Sequence, residues 1–191
     1  MAKSFISGSV FKESYFAAEM KVVARALKTI NGFNVDHVIN KAIWLNEPTI
    51  WTYTVSKEKT LVEQMIHNFD KFNSNTGCTP SQQTAWIEVM QALSHYSYHS
   101  SQRQALLCDL QGGVYKDGFI ITDPVIMSLT NEYGPTDLGS KGISTFFARH
   151  KCNQYCNAQW MKPADKNVYF DSIKGTSMIL PTRHSRATLP Y

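Results

Sequence analysis

Long apolar runs are absent from this chain of 191 residues. No stretch approaches the ~20 consecutive apolar residues that a membrane-spanning helix needs, so no span is expected. The opening Met-Ala-Lys-Ser-Phe-Ile-Ser-Gly-Ser has no sustained apolar segment, which argues against a secretory leader. Cysteine is sparse, with four residues. Without a leader these are expected as thiols or metal ligands, not disulfides. Charge of one sign is also missing. Nineteen Lys and Arg against fifteen Asp and Glu leave +4, spread along the chain, so no basic arm marks a nucleic-acid binder. There is no internal repeat and no low-complexity segment. These absences leave a cytoplasmic enzyme or binding protein. Its length suits one domain, or two small lobes sharing a cleft, with a core that needs no staples.

The strongest periodic signal lies near the start. Phe16, Met20, Val23, Leu27 and Ile30 recur at spacings of four, three, four and three. They predict a helix over residues 13–30, with Gly32 as its stop. Residues 38–45 and 49–55 read as strands joined by Asn46-Glu47-Pro48, and residues 60–66 as a third. Residues 69–77 are polar and turn-rich. Thr79-Pro80-Ser81-Gln82 reads as a capping box with Pro at the first helical position, and Trp86, Met90 and Leu93 then line one helix face. Residues 95–98 are expected to begin a strand.

The chain is organised around residues 105–124. Four apolar residues, Ala105–Cys108, lead straight into Asp109 and read as a buried strand. On an extended chain Gln111 would share a side with Asp109, and Gly112-Gly113 would break the strand. A second apolar run ends at Asp123-Pro124. A hairpin would gather two carboxylates and an amide oxygen at a strand mouth, which suits Mg²⁺ held against phosphates. Further on, Asp137 can cap a helix whose apolar face is Ile143, Phe146 and Phe147.

His150-Lys-Cys152-Asn-Gln-Tyr-Cys156 is the second cluster. On a helix, Cys152 and Cys156 would share a face. One imidazole and two thiolates want a fourth ligand for tetrahedral zinc. His95 and His99 both stand as candidates. Cys78 and Cys108 read as ordinary thiols.

Taken in order, these pieces resemble the alpha-kinases, atypical protein kinases that include myosin heavy chain kinases, elongation-factor kinase and the channel-kinases. The resemblance is carried by Asp109-Leu-Gln-Gly with Thr122-Asp-Pro, and by Phe69-Asp-Lys-Phe-Asn-Ser-Asn-Thr-Gly77. It is also carried by Ala92-Leu-Ser-His-Tyr-Ser-Tyr98, by Tyr133-Gly-Pro-Thr-Asp-Leu-Gly-Ser-Lys-Gly142, and by the His/Cys cluster. It covers about residues 1–162. It implies an α+β, two-lobed alpha-kinase-like fold: a partial small lobe over 1–66, a catalytic and zinc-stabilised C-terminal lobe over 67–162, and a tail over 163–191. Only Met1 and Ala2 precede Lys3, so the N-terminal lobe is expected to be truncated.

The implied reaction transfers the γ-phosphoryl group of ATP to a Ser or Thr hydroxyl of a protein substrate. The resemblance makes Asp109 the residue that accepts or orients the hydroxyl proton. It makes Gln111 and Asp123 the ligands of Mg²⁺ or Mn²⁺. Lys3 would contact the ATP phosphates, and Glu63 and Met65 would form the adenine-holding hinge. Where the family has a glutamate paired to that lysine, three residues before the hinge hydrophobe, this chain has Val62, and Glu63 is one residue on. The Gly-rich loop around Asp137, associated with peptide substrate, often has Asn at that position. His95 matches the fourth ligand of a structural zinc. The alternative is a degenerate, zinc-stabilised pseudokinase acting as a binding module. A zinc-stabilised nucleic-acid binder fits poorly, since the charge is diffuse and no second ligand pair follows a finger pattern.

Overall fold

The computed structural model describes residues 2–3 and 13–172. In chain order the elements are β1 (Ala2–Lys3), α1 (Glu13–Val35), β2 (Ala42–Leu45), β3 (Thr49–Thr52), β4 (Lys59–Val62), β5 (Phe69–Lys71), α2 (Ala85–Ser100), β6 (Ala105–Cys108), β7 (Gln111–Val114), β8 (Gly118–Thr122), β9 (Val125–Ser128) and α3 (Gly139–Arg149). The strands form three sheets, ordered β1-β4-β3, β2-β8-β7-β5 and β6-β9. β2 runs parallel to β8, which carries the first half of the chain into the same sheet as the Asp123 strand. Among the described residues, no helix is long and apolar enough to cross a membrane.

Helix α1 does not stop at Gly32 but continues to Val35. The glycine serves packing instead of termination. A Cβ there would lie 2.9 Å from the Tyr96 hydroxyl of α2, so its absence lets the two helices approach. Phe33 meets the Tyr96 ring edge-on at 5.3 Å, and the Tyr96 hydroxyl donates to Asp36 Oδ2 at 2.7 Å.

Helix α2 begins one turn later than expected. Thr84 is the N-cap, and its Oγ1 accepts from the Ile87 amide at 3.4 Å. The Thr79-Pro80 segment is a turn closed by Gln83, whose Nε2 donates to Thr79 Oγ1 and the Pro80 carbonyl. Residues 95–98, expected as a strand, are helical. Ile87, Val89 to Tyr98 are all buried, so tertiary packing on every side overrides the weak helix preference of Ser, His and Tyr.

One core lies between α1, α2 and the larger sheet, around Ala26, Ile30, Phe33, Phe72, Met90, Leu93, Phe119 and Ile121. A second joins β6 and β9 to α3 through Leu106, Met127, Ile143, Phe146 and Phe147. Gly77 lets the loop after β5 touch α3. It has φ +82°, and a Cβ would fall 2.8 Å from the Phe146 Cα and carbonyl oxygen. Gly77→Ala is expected to cost about 1–3 kcal/mol, read as a lower urea midpoint at unchanged m-value.

No regular element follows α3 among the described residues. Residues 167–170 nevertheless lie along α3. The Asn167 amide donates to Ser144 Oγ, the Tyr169 amide to Thr145 Oγ1, and Arg149 Nη2 to the Phe170 carbonyl. Residues 173–191, including the tail expected over 181–190, lie outside the described residues.

Candidate active site and metal centre

Strands β6, β7, β8 and β9 form one long hairpin with a break in its middle. Cys108 faces Val125 on one side of the break, and Gln111 faces Thr122 on the other. The same register therefore passes through both halves. At the break Asp109 has φ 57° and Asp123 has φ 47°. Asp is among the residues that tolerate this left-handed conformation. Pro124 follows with no N–H to offer a ladder. Asp109 and Gln111 thus do not share one face of a single strand: Asp109 sits at a kink and Gln111 opens the next strand. Gly112 and Gly113 lie inside β7, paired on both sides, and do not end it.

The ladder places Lys71, Gln111 and Thr122 in one row across β5, β7 and β8. Lys71 Nζ lies 2.9 Å from Asp109 Oδ1, with the Asp109 side chain only 4% exposed. A buried carboxylate needs such compensation. At the other end of the row, Thr122 Oγ1 donates to Glu63 Oε2 at 2.6 Å. Asp123, the next residue, is exposed. The backbone therefore brings Asp109, Gln111 and Asp123 to the break in the middle of one hairpin, with Glu63 tied to it. Lys71 was not anticipated. A lysine in a turn-rich stretch gives no signal until β5 is known to pair with β7.

The hinge candidates lie just past β4. Glu63 is buried and Met65 is exposed. A cleft of about 390 Å³ is lined by Leu45, Asn46, Glu47, Thr49, Val62, Glu63 and Gln64. Asn46 holds its floor, donating through Nδ2 to the Gln64 carbonyl at 2.9 Å and through its amide to the Ile121 carbonyl at 2.7 Å. Lys3 stands opposite Leu61 in the β1–β4 ladder, two residues along the strand from the position of Glu63.

Asp137 is buried and structural. Its carboxylate accepts from the Ser128 amide and hydroxyl and from the Tyr133 and Gly139 amides. It ties the end of β9 to the start of α3, while Leu138 holds the N-cap position without a side-chain bond.

His95, His150, Cys152 and Cys156 come together, with their four ligand atoms within 4.8 Å of one another, a group that could hold a metal ion. Residues 150–156 are not helical, contrary to expectation. Asn153 closes a turn instead, accepting from the Tyr155 amide at its Oδ1 and from the Cys156 amide at its carbonyl. Cys152 Sγ lies 3.6 Å from His95 Nδ1 and 3.7 Å from His150 Nε2, and Cys156 Sγ lies 3.8 Å from His150 Nε2. A tetrahedral zinc with bonds of about 2.0 and 2.3 Å separates its N and S ligands by about 3.6 Å. The outer ring nitrogens are also held, His95 Nε2 at the Met161 carbonyl and His150 Nδ1 at Gln91 Oε1, each at 3.1 Å. Donation there leaves the inner nitrogens as lone pairs for a cation. His99 is not in the group: its Nδ1 accepts from the Met161 amide and its ring stacks on Trp160.

Burial pushes His95 down to about 4, against the Met161 carbonyl, which favours the charged ring. Burial pushes His150 down to about 4 as well, helped by the neighbouring His95. Both are neutral when folded, but each takes up a proton below about pH 6.5 once unfolded. Their contribution to stability is full above that pH and is lost as pH falls toward about 4. Thermal unfolding of the chelated, metal-free chain between pH 7.5 and 4.5 should show the midpoint falling through this window.

By the family model and the solved folds that it matches, this mixed helix-and-sheet domain is of the atypical protein kinase class. The chain belongs to the alpha-kinase family, whose model matches residues 1–156. It is similar to alpha-protein kinase vwkA of Dictyostelium discoideum, 38% identical over 117 residues that cover 55% of this chain and 18% of that protein. Its fold matches an alpha kinase from Entamoeba histolytica with a TM-score of 0.73 at 22% identity, over 92% of this chain and 74% of that one. It also matches the alpha-kinase domain of myosin-II heavy chain kinase A solved in complex with AMP-PNP. There the TM-score is 0.63 at 25% identity, over 76% of this chain and 56% of that one. The chain spans less than a fifth of the length of the first curated relatives it matches.

Proposed function

We propose that this domain transfers the γ-phosphoryl group of ATP to a Ser or Thr hydroxyl of a protein substrate. The observation that carries this is the Lys71-paired Asp109 at a strand break shared with Gln111 and Asp123. Phosphoryl transfer needs positioning and charge neutralisation more than covalent help. Asp109 orients the acceptor hydroxyl and takes its proton. Lys71 holds that carboxylate in place. Lys3 offers a positive charge to the phosphates, and the segment from Glu63 to Met65 borders the adenine cleft.

Gln111 and Asp123 offer hard oxygen donors, which fit Mg²⁺ or Mn²⁺. Such an ion, when bound, neutralises charge on the β- and γ-phosphates. The two imidazoles and two thiols fit zinc in donor type and spacing. Its role would be structural, joining α2 to the segment after α3. In this scheme residues 1–66 supply the small lobe, 67–162 the catalytic and zinc-binding lobe, and 163–191 a tail. A cytoplasmic setting suits free thiols and ATP.

The test is incubation of the chain with γ-labelled ATP, Mg²⁺ or Mn²⁺, and a Ser/Thr-containing protein acceptor. Label on Ser or Thr that is lost with EDTA supports the kinase assignment. A folded, metal-replete chain that neither transfers nor hydrolyses would overturn it in favour of a binding module.

A further inference from the structure

Among the described residues, strand β6 has a ladder partner on one edge only, β9. Its other edge is served by serines of α2 and of its C-cap, Ser101. Ser94, Ser97 and Ser101 are three and four residues apart and so share a helix face. Ser101 Oγ accepts from the Ala105 amide at 3.1 Å and donates to the Ala105 carbonyl at 2.8 Å. Ser97 Oγ accepts from the Leu107 amide at 2.7 Å. The helix supplies the hydrogen bonds that a missing strand would have made.

Beyond Cys108 the chain turns at Asp109, and the stripe continues through a spacer. Ser94 Oγ accepts from Asn73 Nδ2 at 3.1 Å. Asn73 Oδ1 accepts from the Leu110 amide at 2.9 Å. The Leu110 carbonyl in turn accepts from the Phe72 and Asn73 amides, at 2.8 and 3.2 Å. Leu110 is the residue between Asp109 and Gln111, and both its peptide groups are gripped by residues 72–73. Ser94, Asn73 and Leu110 are each at most 1% exposed, so none of them can touch a substrate. Here the hairpin ladder is broken, and a buried amide left without a partner is costly.

We propose that Asn73, anchored by Ser94, is a positioning residue that fixes the Leu110 peptide and thereby sets the placement of Asp109 and Gln111. The proposal rests on the roles given to those two residues above. Without Asn73 the left-handed turn at Asp109 loses the bond that over-determines it, and the carboxylate shifts relative to the metal-side amide.

Two readouts on Asn73→Ala and Ser94→Ala test it. The first needs no activity: amide hydrogen exchange across residues 105–128. Faster exchange at Leu110 and Gln111, with β6 and β9 amides unchanged, supports the proposal. Unchanged exchange at Leu110 overturns it. The second is kcat per nucleotide-binding site. Asn73→Ala should lose about ten- to a hundredfold in kcat, with KM for ATP within about threefold. Ser94→Ala should lose less, and the double variant no more than Asn73→Ala alone, because the two act in one chain of bonds. A kcat per site within about twofold of the parent in Asn73→Ala overturns the proposal. If Asn73→Ala fails to fold, Ser94→Ala, which keeps the bond to Leu110 but frees its anchor, carries both readouts. A parent chain without transfer defeats the kinase assignment, while the exchange measurement still decides the placement of Leu110.

Discussion

Asp109→Ala is expected to abolish phosphotransfer, by about a thousandfold or more, while the domain still folds and still binds ATP. The stability cost is that of alanine in a left-handed backbone, about 1–2 kcal/mol, with little added by the lost ion pair. Lys71, the partner left behind, has 27% of its side chain exposed and can return to water. Asp109→Asn sharpens the test. Asn also tolerates the left-handed backbone at this position, so it keeps the turn and the shape and removes only the charge. The two variants should be equally inactive, with nucleotide affinity, followed by calorimetry, within about threefold of the parent. An Asn variant retaining more than about a tenth of parental kcat would remove the carboxylate from the chemistry.

The geometry explains why the site could be half read beforehand. The aspartates at 109 and 123 were visible because an apolar run followed by Asp is a local pattern. The left-handed backbone at both, which splits the hairpin into two sheets, was not. It depends on the pairing of β6 with β9 and β7 with β8, a long-range fact. Lys71 and Asn73 share that blind spot: a turn-rich stretch becomes β5 and a clamp only once β7 lies beside it. The His/Cys group was legible where it is local, at His150, Cys152 and Cys156. Family resemblance brought in His95, and the coordinates decide against His99. Residues 95–98 were misread as extended because Ser, His and Tyr carry little helix preference. Burial of nearly the whole circumference of α2 outweighs that preference.

Cys156→Ser, or prolonged chelation, should strip metal from the His/Cys group and loosen the fold without touching the hairpin junction. With free metal about a thousandfold above its dissociation constant, binding contributes about 4 kcal/mol. For a domain of this size that loss lowers the thermal midpoint by about 10 °C. Three of the N–S separations already stand at 3.6–3.8 Å, and the Met161 carbonyl and Gln91 orient the two rings. Little reorganisation therefore offsets the binding. Without metal, burial pushes the Cys156 thiol up to about 11, so the thiol stays protonated and the four donors lose what draws them together. Asp123→Asn provides the contrast: the position is exposed and outside the His/Cys group, and Asn tolerates its left-handed backbone, so the variant should lower Mg²⁺-dependent transfer while leaving zinc content and midpoint as they were. Zinc measured by atomic emission beside the melting curve separates the two. A chelated protein that is free of zinc yet melts with the parent would show that the cluster does not hold α2 to the segment after α3. Any loss of activity would then have to be traced to the hairpin alone.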